Sequence, residues 1–391
     1  MKMTQVYEIL NAITSEILGD SIIVAEDLSN IVDVGRAYEN MENGLDNFVR
    51  ALNDHIGRVV FVDRVYRGRV PSVLMDGWEY GSIMEKIRGS LPEAVENESW
   101  QLEDGYSYDP NVFYKPDVNV TFFNKRVTFE IDMSFVDVQV KSAFSSAMQM
   151  NGLMSMIRTN IENSMTLKID SLIMRTINAA IAETLYAEYT GGSYNASSGV
   201  RAVNLLYTYN NTVLYGQTPL TVTQAMHSSD FLRFATMTMK NYFSRMTVIS
   251  KLFNIGGTEK FTPADLLHVV MLDVFKNSVD TYLYDGLNQF NTERLSLPDN
   301  VETVPYWQGS GTSYAFNDVS KVYVNTPSGH TVQASGILAI AFDRDCLGVS
   351  NVSRRVTTNY NPKAEFWSEF HKFDAGYFLD TNENCVVFFV A

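Results

Sequence analysis

The side chains that most often carry chemistry are thinly spread in this chain. Its five histidines, His55, His227, His268, His330 and His371, stand far apart. None lies at i, i+3 or i+4 from another, the spacing that lets one helix hold a metal. They read as capping, surface or hydrogen-bonded core residues. Asp343-Arg344-Asp345 brings two carboxylates around an arginine. At the end of an apolar run this reads as a strand-end salt bridge and not as an acid–base pair. Cys346 and Cys385 form no CxxC motif. They imply no disulfide framework, and a reducing compartment is expected. Gly309-Ser-Gly311 sits in a loop without the helix start that a phosphate cradle needs. No GxxxxGK[ST], GxGxxG, GxSxG, HExxH or EF-hand loop occurs. Catalytic, cofactor-binding and metal-binding residues are therefore all expected to be none, and the chain is not read as an enzyme.

Composition points toward partners instead. Of 391 residues, 46% are hydrophobic and only 19% charged, so apolar surface is left over for contacts. Aromatic residues, 12% of the chain with 21 Tyr and 23 Phe, are enriched at interfaces. Net charge is −15, and the first sixty residues hold only Lys2, Arg36, Arg50 and Arg58 as cations. No basic arm for nucleic acid is present. A container wall that repels packed polyanion suits this balance, as does any acidic soluble protein. The N-terminus lacks the apolar core of a signal peptide, and no run of about 18 apolar residues predicts a membrane span.

The elements follow from periodicity. Residues 1–60 read as an extended arm with a short helix near its end, where Leu45, Phe48, Leu52 and Ile56 recur at helical spacing before Gly57. Residues 59–71 read as a strand and 82–108 as acidic and mixed. Val118, Val120 and Phe122 then alternate with polar residues, and Val127, Phe129, Ile131, Met133 and Phe135 repeat the pattern. With the polar stretch Asn124-Lys125-Arg126 between them, the two runs predict a β-hairpin over 109–137 with that stretch as its tip. A short helix is expected near 138–150, ending at Asn151-Gly152, then a long one over about 153–189. Its stripe runs Ile157, Ile161, Met165, Ile169, Leu172, Ile173, Ile177, Ala180, Ile181 and Leu185, opposite Arg158, Glu162, Lys168, Asp170 and Arg175. Met148, Met150, Met154 and Met156 crowd this junction and read as core filling or as adaptable packing between copies. Residues 190–222 read as loops with a short strand. Beyond them lie a strand, Leu267–Leu272, and a helix, Val274–Asn288. Strands follow in VETVPYWQG, VSKVYVN and SGILAIAFDRD, and last at Cys385–Val390.

A two-stranded ribbon is marginal in water on its own. The apolar face of the expected hairpin must therefore be covered by the chain's own body or by a neighbouring copy. On the second option Phe129→Asp blocks assembly.

This order of elements resembles the HK-97-like fold of tailed-bacteriophage major capsid proteins, an α+β fold. In residues the chain is similar to the capsid proteins of small Bacillus podophages. The similarity lies at Val34-Gly35, Asn47-Phe48, Leu52, Asp54, Ile56-Gly57, Val59-Val60, Thr128-Phe129, Lys141-Ser142-Ala143-Phe144 and Ile157–Asn163. It implies an N-terminal arm over 1–60 and a peripheral domain beginning at 61–108. The long E-loop hairpin spans 109–137, the spine helix of the peripheral domain 138–205, an axial domain 206–335, and returning peripheral strands 336–391. The implied function is a major capsid protein self-assembling into pentamers and hexamers of an icosahedral phage head around double-stranded DNA. Its implied partners are itself, scaffolding and portal proteins, and DNA enclosed without sequence-specific binding, with no membrane. Its implied location is the virion, with the host cytoplasm during assembly. The expected interface residues are Val118, Val120, Phe122, Asn124, Lys125, Arg126, Val127, Phe129 and Ile131. Two rivals share much of this pattern: an encapsulin-like nanocompartment shell, and a phage tail or baseplate structural protein.

Overall fold

The computed structural model describes residues 3–19, 24–41, 69–75, 84–89, 118–136, 146–189, 197–283, 301–309 and 313–391, with isolated positions between. In chain order the main elements are α1 (Met3–Leu18), α2 (Ile31–Asn40), β1 (Leu74–Met75), β2 (Met84–Gly89), β3 (Val118–Phe123), β4 (Arg126–Val136) and α3 (Ala147–Glu188). Then come β5 (Ala202–Asn204), α4 (Leu205–Thr212), α5 (Ser229–Met246), β6 (Leu267–Leu272), α6 (Asp273–Leu283) and β7 (Val301–Val304). The chain closes with β8 (Val322–Asn325), β9 (Thr331–Ala334), β10 (Ile337–Asp343), β11 (Leu347–Asn361), β12 (Phe366–Leu379) and β13 (Cys385–Phe389).

Helix α3 organises the molecule. Its 42 residues reach about 63 Å at 1.5 Å per residue. Ser146 caps it, its hydroxyl accepting from the Gln149 amide at 3.3 Å. The helix runs unbroken through Asn151-Gly152, where sequence predicted a break. One mid-helix glycine costs only about 1 kcal/mol, which packing along the rest of the helix outweighs. The predicted stripe from Ile161 to Leu185 is buried. Asp170, placed by periodicity on the solvent face, is buried instead. Its carboxylate accepts from the Arg69 amide at 2.9 Å and from Arg69 Nε at 2.7 Å.

Two larger sheets pack on α3, and so does the two-stranded sheet β8–β9. Of the larger two, one has the order β5-β13-β10-β6-β7. Every residue of β10 and β13 is buried, because helices cover both faces of this sheet. Ile337, Ile340, Phe342, Val387 and Phe389 meet α3, while Leu338, Ala341, Val386 and Phe388 meet Phe231, Leu232, Met239 and Phe243 of α5. Gly336 leads into β10 at φ 82°, and a Cβ there would lie 1.9 Å from the Val390 carbonyl oxygen. The other sheet has the order β1-β11-β12-β4. The strands expected at 267–272, 301–309, 319–325, 335–345 and 385–390 all have counterparts here. Residues 190–222, read as loops and a strand, also form α4, which Asn204 caps.

Residues 3–40 are not an extended arm. They fold as α1 and α2, whose Ile9, Leu10, Ile13, Ile31, Val34 and Tyr38 enter the same core as α3. The Tyr38 hydroxyl donates to Thr14 Oγ1 at 3.2 Å, and its ring clusters with Phe48 and Phe144. Phe48 stands in helical backbone, as its spacing predicts, whereas Leu45, Leu52 and Ile56 lie outside the described residues, as do residues 59–68 of the strand expected at 59–71, whose last residues, 69–71, are not in strand.

Gly35 permits this packing, since a Cβ on it would lie 2.7 Å from Cβ of Phe144. Gly35→Ala is expected to cost about 1–3 kcal/mol by overpacking. Gly152→Ala, in open space on α3, should instead stabilise by about 0.5–1 kcal/mol. Urea unfolding of the two variants against the parent chain reads both signs.

Candidate assembly surface

The two alternating runs form strands as expected, but they do not pair with each other. β3 pairs antiparallel with β2, with Met84 opposite Phe123 and Gly89 opposite Val118. β4 pairs with β12, with Phe129 opposite Phe373. Asn124-Lys125 is thus not a hairpin tip but the short link by which one run passes from the β2–β3 ribbon into the four-stranded sheet. Alternation specifies which face is apolar, not which strand lies alongside.

The nine expected interface residues fall into three groups. Val127, Phe129 and Ile131 are half-buried against the chain's own core, and the Phe129 and Phe373 ring centroids lie 5.1 Å apart. Asn124, Lys125 and Arg126 are exposed on the link, and the Lys125 carbonyl accepts from the Tyr377 amide at 3.2 Å. Val118, Val120 and Phe122 stand on the outer face of the ribbon, 51%, 44% and 62% exposed.

The underside of that ribbon is ionic. Lys86 and Arg88 alternate inward on β2 and meet acids of the β12–β13 loop. Arg88 pairs with Asp380, and its Nε stands 3.5 Å from Glu383. Lys86 Nζ lies 3.4 Å from Asp380 and 4.8 Å from the Phe378 ring centroid. Burial pushes the Lys86 ammonium below its usual range, partly offset by the charges of Asp345 and Glu383. Phe123 packs its ring 5.4 Å from that of Phe378. The outer face carries Glu85 across from Phe122 and is otherwise apolar. Ile87, 67% exposed, stands directly across from Val120, and Phe122 extends the stripe. An exposed cross-strand apolar stripe above a buried ionic base is a candidate contact surface. Across a groove from Val120 lie Ile249 and Lys251. Ile249, Val248 and Leu252, each more than half exposed, continue the apolar surface.

Sequence reading missed Ile87, Lys86, Arg88, Asp380 and Glu383. The signal was present in MEKIRG, where two cations at i, i+2 share one face of a strand. The surrounding acidic stretch masked it.

Potential catalytic groups are absorbed by structure. His371 Nε2 lies 3.2 Å from Glu369 and Arg354 donates to its Nδ1 at 3.3 Å, all within the sheet core. His227 bonds the Thr223 carbonyl, and His330 stacks on Tyr186 with centroids 3.9 Å apart. His268 stacks on Phe342, and burial lowers its pKa. His55 lies outside the described residues. The Asp343-Arg344-Asp345 sequence is a turn and not a salt bridge: the Asp343 carboxylate accepts from the Asp345 amide at 2.9 Å, and no ion pair joins Arg344 among the described residues. Gly309 is followed by residues outside the described set. Among the described residues no cluster of His, Cys, Asp or Glu could hold a metal ion, and no helix is long and apolar enough to cross a membrane. At the helix junction Met150 is buried and Met148 is 81% exposed, while the side chains of Met154 and Met156 are outside the described residues.

The model of the family described as Phi29-like phage major capsid protein matches residues 10–389. No curated protein matches the chain. Among solved structures, the capsid structure of Staphylococcus phage Andhra is similar in fold, with TM-score 0.51 and 11% identity, over 84% of this chain and 86% of that one. The capsid structure of cyanophage P-SCSP1u gives TM-score 0.43 and 8% identity, over 84% of this chain and 88% of that one.

Removing Asp380 strands two cations beneath the ribbon. Asp380→Ala is expected to cost about 3–5 kcal/mol and to speed hydrogen exchange of β2 amides more than those of β10.

Proposed function

The chain belongs to the family of Phi29-like phage major capsid proteins and is a subunit of a phage capsid shell, and on that premise we propose how it tiles. The outer face of the β2–β3 ribbon, Ile87 with Val118, Val120 and Phe122, is the surface that a neighbouring copy covers. Its exposure above an ionic base is the observation that carries this reading. Apolar area of that kind gains roughly 25 cal/mol per Å² when covered, and each such contact is repeated around a closed shell, so modest energies sum to a durable container. The link residues Asn124, Lys125 and Arg126 flank the same contact. Val127, Phe129 and Ile131 support it from within by fixing β4 to β12.

The copies form pentamers and hexamers of an icosahedral head around double-stranded DNA. The net charge of −15 favours a wall that does not adhere to the phosphates it encloses. Scaffolding and portal proteins set size and provide the opening, and assembly takes place in the host cytoplasm. The chain acts by shape and contact, without catalysis. The arm (1–60), the peripheral parts (61–108, 138–205 and 336–391) and the axial domain (206–335) divide the work between locking neighbours and meeting around the symmetry axes. The E-loop expected at 109–137 shifts in this reading to the ribbon of β2 and β3. Family membership favours neither a nanocompartment shell nor a tail or baseplate role.

Phe122→Asp is expected to leave the subunit's melting temperature within a few degrees of the parent and to abolish closed shells under electron microscopy. Phe129→Asp should instead lower the melting temperature, because it puts a charge against Phe373 inside the subunit. Normal shells from a folded Phe122→Asp chain would refute the interface.

A further inference from the structure

The chain has only two cysteines, and the fold brings them together. Cys385 opens β13 directly opposite Phe342 of β10, and Cys346 sits in the turn just past β10. Both are free and buried. The two side chains meet at one small cavity. Cys346 Sγ also reaches the Asp380 carbonyl at 3.5 Å, and Thr184 Oγ1 of α3 lies 3.6 Å from Cys385 Sγ. Contact with Cys346 holds the Cys385 thiol below its usual pKa, while contact with Cys385 and burial push the Cys346 thiol up. The cavity is lined also by Ala180, Glu183, Ile255 and Thr381.

We propose that Cys346 and Cys385 are an oxidation site that closes to an intramolecular disulfide when the protein meets a small peroxide outside the reducing cell. The Cys385 thiolate attacks one oxygen of hydrogen peroxide. The O–O bond breaks, the departing hydroxide takes up the proton that the Cys385 thiol released, and a sulfenic acid and one water result. The Cys346 sulfur then attacks the Cys385 sulfur, an S–S bond forms, the S–O bond breaks, and a second water leaves with the remaining thiol proton. Two thiols are oxidised and one peroxide is reduced to two waters. A peroxide is small enough for a buried pair that a bulky disulfide reagent would not reach.

The position gives the bond a purpose. Asp380, whose amide donates to the Cys346 carbonyl at 2.7 Å, anchors Lys86 and Arg88 beneath the ribbon. Tying Cys346 to Cys385 closes a covalent ring through β11, β12 and this anchoring loop. The chemistry belongs to the single chain, so it can fail while the assembly surface stands, and the reverse.

The test uses the whole purified chain. It is treated with hydrogen peroxide, the excess is removed with catalase, and the protein is unfolded in denaturant with iodoacetamide for intact mass. The untreated chain should take up label on both cysteines. The oxidised chain should take up none, weigh about two mass units less than the unlabelled reduced chain, and regain both labels after dithiothreitol. In Cys346→Ser, Cys385 should gain oxygen instead of losing hydrogen. Labelling of both thiols after peroxide, sulfinic or sulfonic acid at either cysteine of the parent chain, or disulfide-linked dimers on a non-reducing gel would each overturn the proposal.

Discussion

The structure hangs on the burial of one side of a single long helix. The stripe of α3 from Ile161 to Leu185 is covered along its length chiefly by two sheets, one of five strands and one of four, with the β8–β9 pair beside them. Neither sheet is sufficient alone: β10 and β13 carry no polar face to give to water, and β4 and β12 carry theirs on one side only. Because the helix is longer than a compact domain is wide, the two sheets need not stack on each other. They are spaced along a common beam. The buried polar residues described on that beam each make at least one hydrogen bond. Asp170 holds Arg69, Asn178 donates to the Trp307 carbonyl at 2.8 Å, and the Thr176 and Thr184 hydroxyls return to carbonyls one turn back.

The ribbon draws its character from this beam at second hand. Its two cations reach the loop between β12 and β13, which joins the two sheets. Burying charges costs several kcal/mol per ion unless each is paired, so Lys86 and Arg88 have a strong preference for one seat, above Asp380 and Glu383. The apolar residues between them are thereby forced outward by the alternation of a strand. Outward exposure of Ile87 and Phe122 is therefore a result of where the ions must go, not a failure to bury them.

Much of this was legible in sequence where the cause is local. β6, β10 and β13 announce themselves as short apolar runs, which only strands covered on both faces tolerate. The stripe of α3 was visible because period 3.6 persists for nearly eight turns, from Ile157 to Leu185. What stayed hidden was partnership. Nothing near Val127 or Phe129 indicates that residues 366–379 lie beside them, and a polar stretch between two alternating runs looks the same whether the chain reverses there or passes on. Helix α1 was missed for a related reason. Ile9, Ile13 and Ile17 carry helical spacing, but only the core they enter decides whether sixteen residues fold or trail. The His371–Glu369 pair was overlooked because i, i+2 spacing matters on strands, where alternate residues share a face, and not on helices.

The pairing of β4 with β12 also sets a timetable. Their residues lie some 230 to 250 positions apart. At the ribosome's pace of about 5–20 residues per second, the apolar side of β4 waits roughly 10–50 s for its partner strand to be made. Nascent chains crowded on one message would present that uncovered edge to one another throughout the interval. A protein needed in many copies at once thus leaves the ribosome most adhesive just before it becomes complete, and its yield is set by whatever shields β4 during that wait as much as by the stability of the finished subunit.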